Sequence, residues 1–137
     1  PRFRHYFINR WGDRYLAQNK SELARTTWQQ LTKLYPHSLF AWHKLAVLAK
    51  KETKTAEHKH ALQALNQAAS TFTEQDQQLV LAFTANHNQD YPELSVKILK
   101  RVTQQTPTNK AAWQQLSDLY KQQGNTQSSK QAQLKTL

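Results

Sequence analysis

The chain has 137 residues, about one domain's worth, with a formal net charge of +10, no cysteine and only two glycines. These counts exclude disulfides, thiolate metal sites and a glycine-rich phosphate loop, and no apolar run nears the ~18 residues of a membrane span. The hydrophobic content of 38% suits a thin, elongated core better than a thick one, and the charge favours acidic partners: nucleic acid, anionic polysaccharide, anionic lipid or an acidic protein face.

Alanine, leucine, glutamine and lysine dominate, all good helix formers, and alternating β-branched runs are nearly absent, so the chain is predicted to be helical throughout. The first helical pattern carries Ile8, Trp11, Gly12 and Tyr15 and stops at Asn19-Lys20. The second carries Ala24, Trp28 and Leu31 and ends before Pro36, which lacks an N–H and bars helical geometry before it. Trp42, Leu45, Ala46 and Ala49 mark the third. A lysine-rich stretch, 50–59, then forms a long turn with three extra residues, either a solvated helix end with a relaxed loop or a basic finger. The fourth pattern has Ala61, Leu65 and Ala68, with Thr73 beyond it; the fifth has Leu79, Ala82, Phe83 and Asn86 and turns at Gln89-Asp90. Ser95, Leu99 and Val102 form the sixth, closed by Pro107. The seventh places Trp113, Leu116, Leu119 and Tyr120 on one side and stops at Gly124-Asn125, as a left-handed cap does. The eighth fades after Gln127.

The phase repeats. Ile8, Trp42, Leu79 and Trp113 follow one another at 34, 37 and 34 residues, and Gly12, Ala46, Phe83 and Ser117 keep step with them. This tryptophan–leucine–small–tyrosine, alanine–aromatic–small, proline pattern resembles the tetratricopeptide repeat (TPR) family. Unit one matches most fully, through Trp11, Gly12, Tyr15, Ala24, Trp28, Leu31 and Pro36; Phe83, Asn86 and Thr73 depart from the pattern. The resemblance implies an all-α, right-handed superhelical solenoid of four hairpins, 5–38, 39–75, 76–109 and 110–137, in one repeat domain of a longer protein. Trp11, Trp28, Trp42 and Trp113 are expected in the core by their spacing.

No catalytic spacing is present, so an enzyme is not expected. His58 and His60, two apart on a helix, point away from each other, and with His43 they make no metal set. No cofactor is called for. By the resemblance, the first helices line a groove that binds a peptide or a segment of a partner subunit. Its lining is Tyr6, Asn9, Arg10 and Asp13; Phe40, His43, Lys44 and Val47; Gln77, Val80, Leu81 and Thr84; and Ala111, Gln114, Gln115 and Asp118. The carboxylate clamp of chaperone-binding members is missing, since Asn9, Asp13, Val80 and Thr84 occupy its slots. Basic patches are Arg2, Arg4 and Arg14 at the start, Lys50 and Lys51 in the long turn, and Lys97, Lys100 and Arg101 on one helix face. They support the alternative, a basic solenoid that contacts an exopolysaccharide, nucleic acid or a membrane surface. The cysteine-free, glutamine- and threonine-rich style fits a bacterial envelope or secretion assembly.

Overall fold

A computed structural model describes residues 2–137, the side chain of Arg2 excepted. The described residues form eight α-helices and one short 3-10 turn, with no strand. The helices are α1 (Arg2–Ala17), α2 (Ser21–Leu34), α3 (Leu39–Lys51), α4 (Thr55–Thr71), α5 (Gln77–His87), α6 (Pro92–Gln105), α7 (Lys110–Gln122) and α8 (Thr126–Leu134); the 3-10 turn, Glu74–Asp76, precedes α5. Within each compact unit, consecutive helices pack against each other. None is long and apolar enough to cross a membrane. The chain divides into two compact units, one ending at Thr71 and the other running from Phe72 to Leu137.

In the first unit, Ala24, Trp28, Leu31, Ala41 and Leu48 form the core, with Ile8, Tyr15, Leu16, Tyr35 and Leu45 against it. Trp28 is fully buried and its indole N–H donates to Asn9 Oδ1 at 3.2 Å. A β-carbon at Gly12 would overlap the Trp28 ring, so glycine here lets α1 and α2 approach. Ser38 caps α3: its hydroxyl accepts from Ala41 N–H at 3.2 Å and sits 2.6 Å from His5 Nε2. His5 is buried between these partners and the Tyr35 ring, 5.3 Å away, and burial lowers its pKa.

In the second unit, Phe72, Val80, Phe83, Ile98, Leu99, Val102, Ala112, Leu116, Leu119 and Ala132 are buried. Small residues again set the helix approach. Ser117 and Ser129 donate to each other's backbone carbonyls, both at 2.9 Å, which joins α7 to α8.

The two units repeat one plan. The second, third and fourth helices of each start at 92 against 21, 110 against 39 and 126 against 55, a constant interval of 71 residues. The details keep that register. Tyr35 and Thr106 end α2 and α6 with φ/ψ of −134/83 and −135/85. Ser38 and Asn109 cap α3 and α7 with φ/ψ of −73/97 and −76/94. The indole N–H of Trp42 donates to Pro36 O at 3.1 Å, and that of Trp113 to Pro107 O at 2.8 Å. Thr53 and Gly124 both take positive φ, 57° and 77°.

Two expectations are corrected. Trp11 is 50% exposed rather than core: Gly12, His5 and Ile8 turn inward on α1, and Trp11 lies off that side. Trp42 and Trp113 are half-buried, each held through its indole N–H. The lysine-rich stretch is not a finger. Only residues 52–54 connect α3 to α4, the same length as the connection 18–20 between α1 and α2, and the three extra residues make α4 longer instead, 17 residues against 14 in α2.

Candidate partner-binding face

The sequence-derived lining divides sharply between the two units. In the first, α1 offers Tyr6, Asn9, Arg10 and Asp13, spaced by three and four residues and so on one side of the helix. The α3 residues Phe40, His43, Lys44 and Val47 are spaced the same way. A 2.9 Å ion pair between Lys44 Nζ and Asp13 Oδ1 ties the two helices together. Lys44 also lies 5.8 Å from the centre of the Trp28 ring, so its charge is held from two sides. Asn9 is engaged by Trp28, and Phe40 lies 6.2 Å from His5. Tyr6, Arg10 and Val47 remain exposed, with the Arg10 guanidinium 5.8 Å from the Tyr6 ring. The result is a fixed ion pair flanked by an aromatic ring, a guanidinium and an aliphatic side chain, all open to a ligand.

The second unit differs. Gln77, Val80 and Thr84 are buried, so they line no open face. Gln77 Nε2 donates to Gln105 Oε1 at 3.0 Å and to Thr106 Oγ1 at 2.9 Å. Thr84 Oγ1 donates to Gln115 Oε1 at 2.7 Å, and Gln115 Nε2 donates to Leu81 O at 3.3 Å. These amides and hydroxyls tie α5 to α6, to the residues after it and to α7. Ala111, Gln114 and Asp118 stay exposed, the last two joined by a 3.1 Å hydrogen bond.

Of the basic residues, Arg4, Arg14, Lys50, Lys51, Lys97 and Lys100 are exposed. Arg101 is committed: its Nε donates to Phe72 O at 2.9 Å and its guanidinium lies 5.2 Å from the Phe72 ring. The side chain of Arg2 lies outside the described residues.

A buried charge cluster lies outside every pattern of the sequence described above. Arg25 on α2 is 8% exposed and pairs with both Glu22 and Glu52. The Arg25 hydrogen bond, and then its charge, hold the Glu22 carboxyl below its ordinary range. An arginine beside Ala24 on the inward side, with a glutamate three residues before it, was the available signal. Nearby, Arg25, Gln29, Lys33, Trp42, Glu57 and His60 border a cavity of about 600 Å³ between α2, α3 and α4. Its counterpart in the second unit, about 450 Å³, is bordered by Lys100, Gln104, Trp113, Ser128 and Gln131 among others. No protein-family model matches the chain, and comparison with curated proteins gives no match.

Proposed function

We propose that the chain is a tetratricopeptide-like repeat protein, its hairpins stacked as a right-handed superhelical solenoid, and that it serves as a non-catalytic interaction scaffold. The 71-residue recurrence of helix starts, caps, turns and tryptophan anchors supports the repeat reading. The observation that carries the binding role is the α1–α3 face of the first unit. There Tyr6, Arg10 and Val47 stand exposed around the Asp13–Lys44 pair. A peptide or partner-subunit segment with one acidic group and one aromatic or aliphatic anchor suits it: Arg10 takes the carboxylate, while Tyr6 and Val47 take the apolar group.

Panning a random peptide library against the folded protein tests this. Enriched peptides should pair an Asp or Glu with a large apolar residue. The variant Tyr6→Ala/Arg10→Ala/Val47→Ala should lose them with unchanged far-UV dichroism, because all three side chains are exposed. Peptides retained at full strength by this variant would move the site elsewhere.

A second reading rests on Lys50, Lys51, Lys97 and Lys100, which are exposed and make none of the ion pairs seen among the described residues. They would serve an anionic polymer such as an exopolysaccharide or nucleic acid.

A further inference from the structure

Helix α1 carries a second surface, which the core does not use and which meets the α1–α3 face only along its Tyr6–Arg10 edge. Phe3, Phe7 and Trp11 recur every four residues and are 78%, 58% and 50% exposed. Four-residue spacing lines them up as a ridge along the helix. On a helical projection Arg14 falls within this ridge, Arg10 beside it on one flank and Arg4 on the other; all three are exposed. The Arg14 guanidinium is 5.9 Å from the Trp11 ring. The sole carboxylate of α1, Asp13, is bonded to Lys44 on the α3 side. The ridge therefore combines large rings with positive charge and no negative charge.

We propose that this ridge docks on the surface of an anionic lipid bilayer. The rings enter the interface between headgroups and acyl chains, and the arginines meet lipid phosphates. Three large apolar side chains grouped on an exposed face call for cover, and the arginines select an anionic one. The shape then separates the candidates. A single strand of nucleic acid is held in a basic groove that tracks its backbone, and a peptide is held in a groove or at a sheet edge. A convex helical ridge with cations among its rings is the form that lies flat on a membrane. Tryptophan and tyrosine favour the interface, and arginine keeps its charge in water while its stem lies along apolar surface. Between Tyr6, Phe7, Arg10, Trp11 and Arg14 a shallow depression of about 280 Å³ leaves room for one headgroup phosphate beside two guanidiniums.

Co-sedimentation of the folded protein with vesicles tests the proposal. One set contains phosphatidylcholine alone, the other phosphatidylcholine mixed with phosphatidylglycerol. The protein should bind the anionic vesicles, with a blue shift in tryptophan emission that Trp11→Phe removes. Each arginine near such a surface is worth ~1 kcal/mol, so Arg4→Gln/Arg14→Gln should weaken partitioning about thirtyfold. Phe7→Ser/Trp11→Ser should weaken it by a comparable factor, with far-UV dichroism unchanged in both variants. Neither double variant touches Tyr6, Arg10 or Val47, so failure here leaves the peptide-binding reading standing, and the converse holds. Three vesicle results would overturn the proposal: no binding to anionic vesicles, equal binding to neutral ones, or full binding by either double variant. A fluorescent single-stranded oligonucleotide that binds more tightly than the vesicles, and through the same side chains, would overturn it in favour of nucleic acid.

Discussion

Gly12 and His5 show how two small residue choices hold the first unit together. The Gly12 site was legible as a small slot, because glycine followed Trp11 in the repeating pattern. Its contact was not: no spacing points to Trp28, whose ring atoms a β-carbon at Gly12 would meet. Gly12→Ala must push an indole that is packed on every side, so the helix-propensity gain of alanine is outweighed. We expect a net loss of about 1–3 kcal/mol in urea unfolding; unchanged or higher stability would mean that the indole shifts freely. His5 makes a pH prediction. Its folded-state pKa lies below the ordinary 6.5 because burial disfavours the charged ring. The unfolded chain therefore takes up the proton first as pH falls. The His5 contribution is intact above about pH 6.5 and is lost progressively below it. Denaturation midpoints measured between about pH 7.5 and 5.5 (roughly one unit above and below that value) should decline over this window. The decline should be shallower in His5→Gln.

Among the elements, helix number and order could be read from hydrophobic period, and Pro36 and Pro107 marked two ends correctly, where α2 stops at Leu34 and α6 at Gln105. The turn after α3 was harder. The lysines of 50–59 look like loop, yet the connection is no longer than that between α1 and α2, and the three surplus residues of this repeat fall within the longer α4. The reversal itself is three residues long and needs one left-handed position, which Thr53 fills at φ 57°. A β-branched residue is strained there, and the equivalent turn uses Gly124. Thr53→Gly should raise stability by about 0.5–1 kcal/mol, the left-handed strain of ~1–2 kcal/mol less the added entropy of the unfolded glycine. Thermal melting of the variant checks this, and a lower midpoint would count against strain at Thr53.

Across the whole molecule, the repeat phase was legible but the open and closed parts of its lining were not. Gln77 and Thr84 look like surface residues by type. They are buried because partners 28 to 31 positions later, Gln105, Thr106 and Gln115, satisfy them. No local pattern announces such pairings. The net charge of +10 belongs to this scale too. A polymer held by exposed lysines displaces condensed counterions, so its affinity should fall steeply as salt rises. Lys97→Glu/Lys100→Glu should weaken that binding and leave peptide capture intact. Heparin and oligonucleotide titrations at low and high salt provide the measurement; salt-independent binding would remove the polymer reading. Arg101 is best left out of such a variant because it holds the Phe72 carbonyl.

The paired tryptophans, Trp42 and Trp113, have a practical consequence. Each is half-buried and hydrogen-bonded to the carbonyl of the proline six residues earlier, and one lies in each compact unit. The protein thus contains its own matched optical reporters. A variant that keeps one of this pair as its only tryptophan, the others replaced by Phe, would let the emission follow one half of the chain at a time, with no dye attached.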